Sequence, residues 1–468
     1  MIKALKTAPA AGVRTVLYAL PIALLLLAAS AAPLGAQHVL GGSLSGDYRL
    51  TVGEDFDLAN TVFNRGLLRL NLYADLNPNE KVRVFLDSWL TAAWYFPGGF
   101  TDAVVNADNP FDYEDLLPLE ILLLEAYADL YGFPHSSMDV RAGRQRIVWG
   151  TAEQVSVIDN LNPSDMEDFW DFGRRLPSEA LKISWYTRLF TLEGVYLLLF
   201  RPAVLPEQMF ERMQSAVPDL SAPLVLTSLL MDYTLPCADP WDNTTMGARL
   251  SLSLLGWDLG LSYIFGRQDF PAPATITGSF DGGAPNVEID IDNSYPRLHI
   301  AGLDLAGELF GLGLWAEGAL YFPDHTVVTD MTEVGGGVTE EDAELYFKAC
   351  AGLDYTFAFG PYLNLQYVHG LAFENSREEL QDYLLAAIEW EVLNGFLKIG
   401  PLAVALEVDD PKELANSWAL VVNPELSLKP FDSAEISAGL RWIQGKEGTT
   451  FGLNKEASEI YLQGTLSF

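Results

Sequence analysis

Along most of the chain polar and apolar residues alternate one by one, in segments of about ten residues, the length a tilted membrane-crossing strand needs. The last segment shows it most cleanly. Glu459, Tyr461, Gln463, Thr465 and Ser467 fall on one face, and Ile460, Leu462, Gly464, Leu466 and Phe468 on the other. The same period sets Arg69, Asn71 and Tyr73 against Leu68, Leu70 and Leu72. It sets Lys182, Ser184 and Tyr186 against Leu181, Ile183 and Trp185. A period of two places such sets on opposite faces of a sheet. Beyond residue 36 no apolar run is long enough for a membrane helix, and the longest candidate, 189–205, is broken by Glu193 and Arg201.

The connections between these segments alternate short and long. Short ones include Asn77-Pro78-Asn79-Glu80, Pro134-His135-Ser136-Ser137, Gly256-Trp257, Gly311-Leu312-Gly313, Gly360-Pro361 and Asn394-Gly395, several with the chemistry of tight hairpin turns. Long ones lie near 96–119, 150–178, 202–243, 270–295 and 323–341. Strict parity of this kind predicts an all-β fold: a single transmembrane antiparallel β-barrel of about eighteen strands (16–18), with short periplasmic turns and long acidic extracellular loops. Two segments fit less well. Alternation changes phase near Gly302, which predicts a β-bulge, and Pro401 predicts an irregular strand.

A sheet inside a bilayer must close on itself, with an apolar outward face. The inward faces here carry Arg69, Arg83, Asp87, Glu125, Asp129, Lys182, Glu317, Lys348 and Arg441. So many charges predict a wet lumen, because burying them unpaired would cost several kcal/mol each. Aromatic clusters at strand ends, such as Trp94, Tyr95 and Phe96, match interfacial girdles.

The N-terminus is set apart from this pattern. Lys3, Lys6 and Arg14 precede an apolar stretch over 16–29 and then small residues, which reads as a cleaved signal peptide, 1–36, with the barrel over 37–468. The mature chain then holds 25 basic and 63 acidic residues, a net charge of −38. That excludes nucleic acid as a partner, since phosphate binding needs a basic footprint. Export with a C-terminal aromatic, Phe468, points to the bacterial outer membrane. The expected partners are barrel-assembly machinery, outer-membrane lipid and lipopolysaccharide, and a small-molecule solute; oligomeric state is left open. Cys237 and Cys350 pair only if the loop holding Cys237 folds inward; otherwise they are free thiols.

No cofactor, metal or catalytic signature is legible. The five histidines are scattered, and there is no nucleophile elbow, P-loop or H-E-x-x-H pair. An enzyme is therefore not expected. Glu288, Asp290, Asp292 and Asn293 lack EF-hand spacing and read as an acidic solvated loop. Residues 206–217 fit a short amphipathic helix, either a plug or an outer cap. The expected functional feature is a constriction: Arg144 and Arg146 on one strand face, opposed by Asp87, Glu125 and Asp129, with Arg69, Arg83 and Lys182 also lining the pore. The alternative is that these charges pair along the wall and merely hold it.

One stretch resembles a known family. Gly143-Arg144-Gln145, Trp149-Gly150 and Asp159-Asn160-Leu161-Asn162-Pro163-Ser164-Asp165, followed by Arg175-Leu176-Pro177 and Phe200-Arg201-Pro202, resemble the signature of the DUF1302-like group of large bacterial outer-membrane proteins. The alginate-export porins are a looser resemblance of the same architecture. The resemblance implies a porin-like barrel, and for relatives an association with hydrophobic or lipidic molecules. The functional expectation is a channel for small solutes, with a mixed-charge lumen and an acidic mouth. Alternatives are a hydrophobic-compound or lipid transporter, or a structural surface barrel with a blocked lumen.

Overall fold

The structure is a computed structural model and describes residues 37–53, 63–97, 119–168, 170–171, 173–205, 224–236, 243–409, 412, 415–446 and 448–468. The expected signal peptide, the acids of segment 98–118, the helix expected over 206–217 and Cys237 lie outside these residues, as do the side chains of Trp94, Tyr95 and Phe96.

The alternating segments become strands of five to seventeen residues. In chain order they begin with β1 Gln37–Thr51, β2 Phe63–Asn79, β3 Val82–Pro97, β4 Leu119–Leu130, β5 Met138–Gln145 and β6 Ser178–Tyr186. Next come β7 Thr191–Leu197, β8 Val225–Tyr233, β9 Thr245–Leu254, β10 Trp257–Arg267, β11 Ala272–Phe280 and β12 Asn286–Ser294. Then follow β13 Arg297–Leu309, β14 Leu312–Asp324, β15 Thr326–Asp330, β16 Val338–Asp342, β17 Tyr346–Thr356 and β18 Tyr362–His369. The last five are β19 Asp382–Val392, β20 Leu397–Val408, β21 Trp418–Phe431, β22 Ala434–Gly445 and β23 Glu459–Ser467.

All but β8, β11, β12, β15 and β16 form one 18-stranded sheet. Each strand pairs antiparallel with the next, and β23 closes on β1 with Ser43 opposite Ser467 and Thr51 opposite Glu459. The chain is thus a closed antiparallel β-barrel with both ends of the ring at its short-turn end. Leu255-Gly256 and Phe310-Gly311 are two-residue turns with positive φ at both positions (56° and 84°, 56° and 80°), the geometry that matches strand twist. Leu68, Leu72, Leu181, Ile183, Leu462 and Leu466 stand exposed on the outside of the wall, an apolar band suited to lipid.

Two local expectations fare differently. The strand around Pro401 is irregular, with register shifts between Ile399 and Leu402 and between Ile388 and Trp390. No bulge occurs at Gly302: β13 pairs with β10 and β14 in unbroken register. The phase change has another cause. Leu298 and Ile300 point inward and are buried in an apolar cluster inside the barrel, so apolar residues occupy the inward face there.

That cluster also corrects the expectation of a uniformly wet lumen. Three connections from the long-loop end, 146–177, 370–381 and 446–458, turn into the barrel. Trp149, Val157, Ile158, Leu161, Leu371, Phe373 and Phe451 from them pack on wall residues such as Val195, Ile264, Tyr383 and Ile443. Asp129, Glu317 and Lys348, read as hydrated lumen charges, are 4%, 4% and 2% exposed. They tolerate burial because each is paired or saturated with hydrogen bonds.

Three other long connections assemble a second sheet at the same end, with strand order β16–β15–β11–β12–β8. Ile276, Val287, Ile289, Ile291 and Val334 form its buried core. The alternation in Val287-Glu288-Ile289-Asp290-Ile291-Asp292 therefore belongs to a strand, not to a solvated loop. Its other face is acidic.

Candidate functional site

Segment 146–177 leaves the sheet where β5 ends and crosses the barrel interior. Glu317, inward on β14, accepts the backbone N–H groups of Thr151 (2.6 Å), Ala152 (2.8 Å) and Val157 (2.9 Å) and the hydroxyl of Ser156 (2.7 Å). Gln366 of β18 accepts from Gln154 N–H, and its own amide donates to the Val155 carbonyl. The two other inward connections are held in the same manner. Lys348 of β17 donates to the carbonyls of Leu371 (2.7 Å) and Ala372 (3.3 Å). Glu407 of β20 accepts the N–H groups of Thr450 and Phe451 (2.7 Å). A charged wall residue thus grips the backbone of each segment, and charge-assisted bonds of this kind are the strong ones.

The family-like motif residues fix the path of this segment. Gly143 and Gly150 have φ of 129° and 121°, which side chains rarely adopt, and a Cβ on Gly150 would lie 2.5 Å from Glu317 Oε1. Gln145 is fully buried and donates to the Ala180 carbonyl. Trp149, 1% exposed, donates its indole N–H to Glu193. Asp159 accepts from Trp149 N–H. Asn162 accepts from Ile147 N–H (2.7 Å) and donates to Leu176 O and Ser178 Oγ, and the Pro163 carbonyl takes Leu176 N–H. These residues staple the outgoing and returning halves of the segment together.

A further tie was not legible in the sequence. Arg49 of β1 makes a two-pronged contact with Asp168, Nη1–Oδ1 2.9 Å and Nη2–Oδ2 2.6 Å. Burial works against ionisation of Asp168, but the hydrogen bonds and charge of Arg49 more than offset it and hold the carboxyl well below the usual range. Glu374, which accepts Leu371 N–H (2.9 Å) and Gln381 N–H (3.2 Å), and Glu407 carry no local sequence signal of these roles.

The expected constriction is only partly assembled. Asp75, Arg83, Asp129 and Arg141 form an ion chain along the wall of β2–β5, with Arg83–Asp75 at 2.9 Å, Arg83–Asp129 at 3.6 Å and Arg141–Asp129 at 2.6 Å. Asp87 accepts from Asn71, Arg69 stacks on Trp89, and Lys182 pairs with Glu193. Arg144 and Arg146 do not share a face. Arg144 lies opposite Ala126, on the face away from the inward Arg141, Gly143 and Gln145. There it meets Glu179 (3.7 Å), which Arg201 also contacts (2.6 Å). The reason is that β5 ends at Gln145, so Arg146 follows the turning backbone inward, its N–H bonded to Glu125 (2.7 Å).

Arg146 lines a cavity of about 200 Å³ between segment 146–175 and residues 371–373. Arg175, Asp159 and Glu153 line it too, with Val148, Val155, Met166 and Phe373. Burial raises the Asp159 carboxyl above its ordinary value, opposed by the charge of Arg175. On the second, five-stranded sheet, which forms a crown at the long-loop end, Asp232 joins Asp290 and Asp292 in one cluster. The expected loop set is not what assembles: Asn293 is 1% exposed, on the sheet's buried side. Burial first, then the neighbouring carboxylates, raise Asp290.

The sequence pattern of the family described as "Protein of unknown function (DUF1302)" matches residues 90–452. The chain belongs to the DUF1302 family. The match takes in segments 146–177 and 370–381 and the first half of 446–458. No curated protein matches this DUF1302 member. Among solved structures, Acinetobacter baumannii OccAB3 is similar, with 11% identity over 92% of this chain and 99% of that one and a TM-score of 0.50. Pseudomonas aeruginosa OccK11 (10% identity, 92% and 96% covered, TM-score 0.45) and Salmonella typhi OmpF in complex with daunomycin (11%, 93% and 98%, 0.40) align more loosely. The OccAB3 likeness is one of fold: a closed barrel over nearly the whole of both chains.

Proposed function

We propose that this DUF1302 barrel is a channel for small solutes in the bacterial outer membrane, not an enzyme. The observation that carries the reading is segment 146–177, crossing a closed barrel and leaving a charged cavity beside it. A wall-anchored segment in a lumen narrows the path and sets its chemistry, which is how a barrel filters by size and charge. The acidic face of the crown supports a mouth that enriches cations and repels anions at low salt. In this reading residues 1–36 are removed on export, 37–468 form the barrel, and the short turns are periplasmic. Phe468, whose N–H and carbonyl both pair with Gly42, follows directly on β23, the strand that closes the ring.

The test is conductance of the purified protein in planar bilayers. Discrete steps with cation preference at low salt are expected; a silent bilayer counts against the reading. The apolar cluster inside the barrel favours a second reading, a surface barrel with a blocked lumen, and silence in that assay together with intact folding would support it.

A further inference from the structure

We propose that the cavity between segment 146–175 and residues 371–373 binds small organic carboxylates with a compact apolar body, Arg146 taking the carboxylate. The inference rests on the channel reading and names the solute class for that same site.

Most basic groups inside this barrel are committed. Arg49, Arg83, Arg141, Lys182, Arg249 and Arg441 each hold an acid within 3.0 Å. Arg146 differs. Its side chain is exposed to the cavity and makes no ion pair among the described residues, although its backbone N–H is anchored on Glu125. Arg175, on the same cavity, donates to the Ser164 hydroxyl and is held more loosely by acids, at 3.9 Å from Asp159 and 4.0 Å from Asp269. Of the two acids that line the cavity, Asp159 faces this guanidinium and Glu153 accepts from Tyr362 (2.8 Å) and Asn364 (2.6 Å). A planar guanidinium with open donors matches a carboxylate in two-pronged geometry, and a second one nearby adds field without competing for the same oxygens.

The rest of the lining supplies the apolar body's surroundings. Val148 is 58% exposed beside Arg146, and Val155, Met166 and Phe373 complete that side. An inorganic anion gains nothing from them, whereas an aliphatic or aromatic body leaves water on contact. At about 200 Å³ the cavity holds several waters' worth of volume, each roughly 30 Å³, which suits a solute of a few to ten heavy atoms. The acidic crown opposes such anions at low salt only, because at physiological ionic strength its field fades over about 8 Å.

The test uses benzoate as probe, with benzylamine as the cation of similar body and chloride as the anion without one. In planar bilayers at physiological salt, benzoate should block the full-length protein's current in a concentration-dependent way. R146Q should raise the half-blocking concentration at least tenfold, R146K should restore part of it, and V148N should raise it severalfold. R144Q, on the outer face, should leave it unchanged. Equal block of wild type and R146Q, or stronger block by benzylamine, overturns the inference. Equilibrium dialysis of labelled benzoate against folded, detergent-solubilised protein separates the two readings. Arg146-dependent binding without conductance sinks the channel and keeps the site; conductance without such binding does the reverse.

Discussion

Glu317 of β14 accepts the backbone N–H of Val157 at 2.9 Å, joining groups 160 residues apart in the chain. The same carboxylate takes Thr151 and Ala152 N–H and the Ser156 hydroxyl, so one buried acid fixes the turn over 151–157 against the inner wall. E317Q keeps the shape but replaces one acceptor oxygen by a donor facing N–H groups. Its expected cost is about 2 kcal/mol, the scale of bonds to a charged partner. The barrel wall should stay intact and the inward segment should loosen. Larger and noisier single-channel steps would show that; steps identical to wild type would mean the segment is held elsewhere.

The Arg49–Asp168 tie predicts a pH dependence with a definite sign. The Asp168 carboxyl is depressed in the folded state, so its contribution is fully present above the ordinary carboxylate value of about 3.9. It is lost as pH falls below that value and through the depressed one. Conductance should therefore be steady from pH 7 to 5 and change below about pH 4. D168N removes the tie at every pH, so it should lack the change below about pH 4 and behave at pH 6 as wild type does only once the pH has fallen through the depressed value. If D168N and wild type share one pH profile, Asp168 does not anchor the segment.

Trp149, near the start of the segment, packs against Gly247 of β9, where a Cβ would come within 2.7 Å of the indole, and its indole N–H meets Glu193 at 3.2 Å. W149A empties a site that is 1% exposed and should cost roughly 3–5 kcal/mol in the unfolding of the segment. W149F keeps most of the volume and loses only the hydrogen bond, about 1 kcal/mol. Thermal melts followed by near-ultraviolet circular dichroism should rank wild type above W149F above W149A. Equal melts for the two variants, both of which lack the indole N–H, would show that the hydrogen bond, not packing, holds the residue.

Period-two alternation and turn parity made the closed barrel legible, since both report on a wall with lipid on one side. Segment 146–177 was visible only as a loop with a family-like motif. Its inward course depends on Glu317, Gln366 and Arg49, which lie far away in sequence, and no local pattern records such partners. Arg144 and Arg146 are two apart and share a face only while the strand continues; the end of β5 at Gln145 separates them. The crown was hidden for a related reason. Its strands come from three connections, and β12 pairs parallel with β8, a contact between segments that local turns do not link.

The crown's acidic face carries the last prediction. Asp232 lies opposite Asp292 across β8 and β12, with Asp290 two residues along on the same face. Asp290 is raised by burial and then by Asp292, Asp232 and Glu288, so it takes up a proton at a higher pH than an ordinary aspartate. A raised folded value means that the ionised form is the less stable one, so the crown gains stability as pH falls through it. D232N/D290N/D292N should therefore fold at least as well as wild type at neutral pH, because a desolvated charge and mutual repulsion are removed. In bilayers at low salt the triple variant should lose much of the cation preference, measured as reversal potential across a salt gradient. At 1 M salt the Debye length is about 3 Å, and the two proteins should coincide. An unchanged reversal potential at low salt would place the ion-selecting field inside the lumen and not at the crown.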